Sequence, residues 1–513
     1  MTESNRKRSA RVPPSASLAA LRLDKFALNL VSSSPGSAIS NRVAAQLAGE
    51  QLDAYVASGV QLWRCSSRLA PDGSVASGKE GVLIARQCQA LDCTPLGSAA
   101  QAELQSIRLA PTPSPLPLAP PAPALTSSPS SAPGTSSQAA EGSAAALCHM
   151  DSQGNGCVLL LPAPSPLPPG APTSSHPASP PSPGPPPPMA SYPLPAPYPA
   201  VEAGWVGCDL AQSRHQGGEV VCASALHFPR CLAFYQGPRL LRTCHTLHAP
   251  TALTLLPPGA VEGGAGGGGG VGLLACGEEH QLSLWDVRAG EQGGLVQRLP
   301  VAPGGCPVYS LAWVPPHPLP APQLGGEGPE SARGAGGGLL ALAGADRSVV
   351  MLEPRKWRVV HKWAGAAKYT IHYLAVSQAA RGWCYVAGLD TECVAGRWDH
   401  NTGPLTAGNA NSSSGGHGRA VGSKGMQAAA AAEPGVTAEE QGGKPGAGAG
   451  VRCTEGAGML SFRGDSKWFG IALAHSTPTL GSEQAEGAVE TLVALTQSGQ
   501  LNLLQVEGKV RGA

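Results

Sequence analysis

Two aspartates recur at matching places in this chain. Asp346 follows the apolar run Leu339-Leu-Ala-Leu-Ala-Gly-Ala, and Asp390 follows Cys384-Tyr-Val-Ala-Gly-Leu, each two residues past a glycine. Paired carboxylates are suited to general acid–base chemistry. A residue repeated at the same place in successive segments marks architecture instead, and the structural role is the one expected here. The thiols and imidazoles offer no stronger site. Cys148-His149 with Cys157, and Cys244-His245 with His248, lack a second matching half, and no Cys-x-x-Cys occurs among the 14 cysteines, so the spacing does not support zinc. Cys222, Cys231, Cys276, Cys384 and Cys393 stand singly in apolar runs and read as reduced core thiols. The glycine runs at 263–270 and 336–338 lack Gly-Lys-Ser/Thr and do not join a strand to a helix, so they read as linkers rather than phosphate cradles. Neither Gly-x-Ser-x-Gly nor His-Glu-x-x-His occurs, and His372, within an apolar strand, reads as a packed histidine. The expectation is a chain with no catalytic residue, cofactor or metal.

The elements that carry these residues are short hairpins. Leu273-Leu-Ala-Cys-Gly-Glu-Glu-His-Gln-Leu-Ser-Leu-Trp-Asp286 is an apolar strand, a polar turn and a second strand ending in Trp285-Asp286. The pattern returns at Leu339–Leu352 with Asp346 in its turn, and at Cys384–Asp399 with Asp390 in its turn and Trp398-Asp399 at its end. Thr491–Val506 and a shortened Leu52–Arg64 copy keep the alternation without the Trp-Asp ending. A lone hairpin is marginal in water, so these must share larger sheets.

The repeated hairpins and the two Trp-Asp endings resemble the WD40 repeat family, most clearly after residue 205. The Gly-His dipeptide that opens the family's repeats is absent. The resemblance implies an all-β fold: a WD40-type β-propeller of six or seven four-stranded blades, seven preferred, in which Trp285, Asp286, Asp346, Asp390, Trp398 and Asp399 serve the repeats structurally. In this family a strand from one terminus commonly completes the blade begun by the other, so a strand near Phe26–Val31 is expected beside the Leu492–Val506 segment.

Composition limits how much of the chain can be core. Among 513 residues there are 67 Gly and 51 Pro, and only 4% are aromatic. The organisation read from this is a basic tail over 1–17, one propeller over 18–508 and a short tail over 509–513. Insertions expected to be disordered interrupt it at 110–146, 163–200, 321–337 and 401–450. Loop closure grows costlier only logarithmically with length, so a propeller tolerates them. Gly81–Arg86 is assigned to the first blade, four strands over 205–245 to another, and the last blade is set to begin near Met459. A formal net charge of +1 disfavours a general nucleic-acid binder. No secretory apolar segment and no run of eighteen apolar residues occurs, which points to an intracellular chain without a membrane span, in nucleus, cytoplasm or an organelle.

Two stretches concentrate interface-type residues. Lys356-Trp-Arg-Val-Val-His-Lys-Trp363 and Phe462-Arg-Gly-Asp-Ser-Lys-Trp-Phe469 mix aromatics with cations, the types that dominate protein interfaces. Trp357, Arg358, Lys362, Arg463, Lys467 and Trp468 are therefore the candidate partner-binding surface. The function expected is a non-catalytic scaffold or adaptor that binds other proteins through its propeller faces and through the Pro-rich insert. The alternative is a propeller associated with nucleic acid, in RNA processing or ribosome biogenesis.

Overall fold

The structure is a computed structural model. It describes residues 16–28, 41–69, 82–84, 86–87, 91–96, 100, 102–111, 143–162, 190–198, 202–212, 220–257, 260, 272–289, 294–302, 305–316, 337–399, 450–454, 459–475 and 488–510. Among these residues every regular element is a strand, and the strands form seven blades arranged in a ring, a β-propeller.

From the innermost strand outwards, the first blade is Val43–Ala48, Gln51–Ser58, Gln61–Arg68 and Asp92–Pro95, and the second is Leu104–Pro111, Ser143–Asp151, Gly156–Pro162 and Ser191–Leu194. The third is Val206–Gln212, Val220–Leu226, Cys231–Gln236 and Arg239–His245. The fourth is Pro250–Leu256, Leu273–Glu278, Gln281–Asp286 and Leu295–Pro300, and the fifth is Val308–Val314, Leu339–Gly344, Val349–Glu353 and Arg358–Trp363. The sixth is Ile371–Val376, Trp383–Gly388, Glu392–Arg397 and Met459–Arg463. The seventh takes Trp468–His475, Val489–Thr496 and Gln500–Val510 from the C-terminal part of the sequence and Ala16–Ala27 from the N-terminal part.

That last pairing closes the ring. Ala16 faces Val510 and Ala27 faces Gln500, with one irregularity between Ala20 and Arg22. The closing strand lies earlier than the Phe26–Val31 assignment, because alternation in 21–31 continues a strand that starts before it. Two other sequence assignments are corrected. Val82–Ile84 does not join the first blade; it pairs with Gly450–Thr454, which extends the sixth. Met459–Arg463 is the fourth strand of the sixth blade, not the start of the last, since it pairs residue for residue with Glu392–Gly396. The expectations over 1–15, 112–142, 163–189, 317–336, 401–449 and 511–513 concern residues outside the described ones.

Among the described residues there is no single core. Seven buried apolar clusters each fill the gap between two neighbouring blades, such as Trp285 with Phe234 and Leu253 between the third and fourth. Strands buried on both faces explain why the second strands are near-continuous apolar runs, for example Trp383-Cys-Tyr-Val-Ala-Gly388, fully buried. The repeated glycine is needed where such a strand ends. A Cβ on Gly344 would overlap the Pro307 carbonyl, and one on Gly388 the Thr370 carbonyl. The incoming connection between blades therefore crosses directly over the end of the second strand.

Candidate interaction surface

The ring has two unlike faces. Turns between second and third strands lie beside the connections that join neighbouring blades, as shown by hydrogen bonds from Leu389 N to Thr370 O, from Ala345 N to Pro307 O and from Val308 N to Glu279 O. These links are short: Gly59-Val60, Glu279-His280, 345–348 and 464–467. The chain leaves for its long undescribed stretches, at 70–81, 112–142, 163–189, 261–271, 317–336, 400–449 and 476–487, from the opposite face. On the compact face one undescribed stretch of comparable length, 29–40, separates Leu28 from Asn41.

The compact face of the fifth to seventh blades forms a continuous ledge. Arg347, in the turn with Asp346, has φ +60° and donates from Nη1 to Lys368 O at 3.3 Å. Lys368 Nζ lies 5.2 Å from the Tyr369 ring centroid. Leu389 N reaches Thr370 O at 3.3 Å, and Gly464 N reaches Thr391 O at 2.8 Å, which brings the 464–467 connection to the same ledge. Ser498 then donates to Asp465 Oδ2 at 2.6 Å. Tyr369 and Leu389 are 48% and 46% exposed, so the ledge presents an aromatic and an aliphatic side chain to solvent.

Its carboxylates are already engaged by local donors. Asp346 accepts from Ser348 N at 3.2 Å and lies 3.6 Å from Lys362 Nζ, while Asp390 accepts from Thr391 N at 2.7 Å. Carboxylate-to-amide bonds of this kind hold a turn locally. Arg463 is 4.0 Å from Glu392. Among the described residues, Arg347, Lys368 and Lys467 have no carboxylate within 4.0 Å. Unpaired cations beside exposed apolar groups are what the ledge offers a ligand. Arg347, Lys368, Tyr369 and Leu389 were not singled out from sequence; their signal was a bulky or cationic residue next to each turn aspartate or strand start.

The two sequence-predicted clusters separate. Arg358 begins the outermost strand of the fifth blade at the opposite face, where it pairs with Glu353 at 2.8 Å. Trp357 lies in the turn before it, half-buried at φ +49° against the cluster between the fourth and fifth blades. Lys362 reaches the ledge at the other end of that strand. Arg463 and Lys467 are exposed on the ledge, whereas Trp468 is 0% exposed and packs edge-on against Phe462 at 5.4 Å. Trp468 therefore leaves the surface set: it opens the innermost strand of a blade, and its ring fills the gap to the sixth.

The two Trp-Asp endings are offset by two residues: Trp285 pairs with Leu274 inside its strand, whereas Trp398 follows the strand Glu392–Arg397 and donates from its backbone N to Gly382 O, the place Val287 takes in the fourth blade. Trp285 and Trp398 are buried, and Trp285 Nε1 donates to Ser283 Oγ at 2.9 Å. Asp286 accepts from Arg288 N at 2.8 Å, and its carbonyl accepts from Arg242, which stacks on Phe234 from the neighbouring blade. Asp399 holds Arg397 at 2.8 and 2.7 Å. His372 lines the central channel with Tyr309, Ser106, Arg108 and Asn41, and packs edge-on to Tyr309 at 5.2 Å. Further along the channel is a cavity of about 250 Å³, where Arg108 lies 3.9 Å from Asp209. Among the described residues no three His, Cys, Asp or Glu side chains gather as a metal site would require, and no helix is long and apolar enough to cross a membrane.

No protein-family model matches the chain, and no curated protein matches it. Among solved structures it is similar to the WD40 domain of Toxoplasma gondii coronin, with a TM-score of 0.46, 12% identity, and 97% of this chain and 89% of that one covered. It is also similar to Saccharomyces cerevisiae Sqt1, with a TM-score of 0.43, 9% identity, and 95% and 99% covered.

Proposed function

We propose that this propeller is a non-catalytic scaffold that docks partner proteins on its compact face. The observation that carries this reading is the ledge: Tyr369 and Leu389 stand exposed among Arg347, Lys368, Arg463 and Lys467, on the face that most of the long undescribed stretches do not leave from. The partner chemistry that fits is an extended protein segment with acidic side chains beside an apolar anchor, because such a segment satisfies the cations while burying the tyrosine and leucine. Trp357 and Arg358, at the opposite face, are assigned to the edge of the fifth blade.

The test is affinity purification of the full-length chain from its native cells after nuclease treatment, beside the triple variant Tyr369→Ser, Leu389→Ser, Lys467→Glu. The variant should keep the thermal transition of the parent and lose its stoichiometric protein partners. Partners retained by the variant but lost on deleting 163–189 would overturn the ledge and place recognition in the Pro-rich insert. Retention of RNA with a steep salt dependence and no protein would overturn the scaffold reading itself.

A further inference from the structure

We propose that Cys65 and Cys93 form a reversible cross-strand disulfide that takes a small-molecule disulfide, such as glutathione disulfide, as its oxidant. The argument begins with register. In the first blade Gln61–Arg68 pairs with Asp92–Pro95, and Cys65 stands directly opposite Cys93. Leu96 N donates to Leu62 O at 2.8 Å, so Leu62 and Leu96 form a hydrogen-bonded pair. Bonded and non-bonded pairs alternate along an antiparallel ladder. Arg64 with Thr94 is therefore bonded, and Cys65 with Cys93 is a non-bonded pair. Pro95, which has no N–H to give, falls opposite Trp63 at the other non-bonded place, as this register requires.

Non-bonded pairs bring opposing Cα atoms to about 4.5 Å and side chains closest together. That spacing lies inside the range a disulfide needs. The Cys93 thiol already points at Cys65 Sγ, 3.1 Å away. The two sulfurs differ in access: Cys65 is 1% exposed in the seam between the seventh and first blades, and Cys93 packs at the edge of that seam, partly open to solvent. Burial, with the facing Cys93, also holds the Cys65 thiol above its ordinary pKa.

Access sets the order of events. The Cys93 thiolate attacks one sulfur of the small disulfide, forming a mixed disulfide and releasing one small thiolate. Cys65 then gives up its proton, and its thiolate attacks the Cys93 sulfur and expels the second small thiol. Two protein thiols lose two electrons and two protons, and one small disulfide becomes two thiols. The product closes residues 66–92 into a covalent loop. That loop carries Val82–Ile84 and Arg86–Gln87, which pair with Gly450–Thr454 and, in parallel, with Asp24-Lys25 of the ring-closing strand. Oxidation would thus fix both ends of the segment that reaches over the sixth and seventh blades.

A second close pair serves as the internal control. Cys148 and Cys222 lie 3.5 Å apart between the second and third blades, but both are sealed from solvent. The experiment equilibrates the native full-length chain with glutathione and glutathione disulfide, quenches by alkylation and maps peptides without reduction. A Cys65–Cys93 linked peptide should appear first and disappear on adding dithiothreitol, with Cys148 and Cys222 still alkylated. Alkylation of both Cys65 and Cys93 under excess glutathione disulfide, or a stable glutathione adduct on Cys93, would overturn the proposal. Hydrogen exchange of the 82–87 amides should slow on oxidation of the parent and stay unchanged in Cys65→Ser and Cys93→Ser. Equal exchange in oxidised and reduced parent would overturn the link to the loop while leaving the peptide map to judge the bond.

Discussion

Replacing Glu490 should loosen the joint between the sixth and seventh blades more than any exposed substitution. Its carboxylate is 0% exposed, on the second strand of the seventh blade. It accepts from Ser377 Oγ at 2.6 Å, Tyr385 Oη at 2.8 Å, Gln378 N at 3.0 Å and Ala379 N at 3.1 Å, with His475 Nδ1 at 3.5 Å. Three of those donors belong to the connection that follows the innermost strand of the sixth blade, so one side chain ties two blades. Glu490→Ala leaves two backbone amides and two hydroxyls facing a hole. The hydroxyls rotate to other acceptors, but the amides do not, and at roughly 1–3 kcal/mol for each unsatisfied group the loss is about 4 kcal/mol. Glu490→Gln keeps an oxygen for the amides and offers its amide hydrogens to the hydroxyls, losing only the charge, so about half that loss is expected. Urea unfolding followed by tryptophan fluorescence measures both. The pH dependence separates charge from shape. Burial alone would raise the carboxyl's pKa, but the bonds from His475, Ser377 and Ala379 N and the charge on His475 outweigh it and hold it below its ordinary value. A depressed folded pKa gives stability that is full above the ordinary glutamate range and is lost as pH falls through the folded value. The gap between parent and Glu490→Gln should therefore be constant near neutrality and close under acid. A loss below about 1 kcal/mol for Glu490→Ala, or a gap that widens in acid, would refute the reasoning.

Trp468→Ala should cost about 3–5 kcal/mol in urea unfolding, as truncation of a fully buried aromatic does, while a conservative Lys467→Gln beside it should leave stability within about 0.5 kcal/mol. Burial lowers the His149 imidazole from its ordinary 6.5 to about 4, so the folded state refuses a proton that the unfolded chain accepts. Stability should accordingly fall as pH drops from 6.5 towards 4, by up to about 1.4 kcal/mol per pH unit at its steepest, and His149→Gln should flatten that window in thermal scans. Gly388→Ala should destabilise by roughly 1–3 kcal/mol because its methyl meets the Thr370 carbonyl, which is backbone and cannot swing away. Gly388→Ser should be no milder, which would distinguish overlap from a lost chain-entropy effect.

The hairpins were legible because they are local. Second and third strands of a blade are joined by two to four residues, so Trp285, Trp398, Asp346 and Asp390 repeat within a readable window. The outermost strands were harder. In the sixth blade 61 residues separate Arg397 from Met459, and nothing in Met-Leu-Ser-Phe-Arg states which neighbour it will join. Val82–Ile84 is plainly a strand in sequence, yet its partner lies more than 360 residues away, and short-range pattern carries no information about such pairing. Trp468 was misjudged for a different reason. Aromatics among cations suit an interface and equally suit a strand start whose ring turns inward while Arg463 and Lys467 turn outward. Exposure is decided by blade packing, so Tyr369 and Leu389, the apolar members of the ledge, drew no notice among other short apolar segments.

The strand Ala16–Ala27 has its partner, Gln500–Val510, near the far end of the sequence. On a ribosome this order has a cost in time. Among the described strands Ala16–Ala27 is made first and joins its blade last, and until Gln500–Val510 is made the edge that meets that strand faces no sheet. Six blades can assemble behind it, yet the circle stays open until residues beyond 500 have cleared the exit tunnel. A chain stopped between Arg463 and them would carry six blades together with raw sheet edges, the kind of surface that aggregates or recruits chaperones. Closure is therefore read out by topology, since the ring cannot close on a chain that lacks Gln500–Val510.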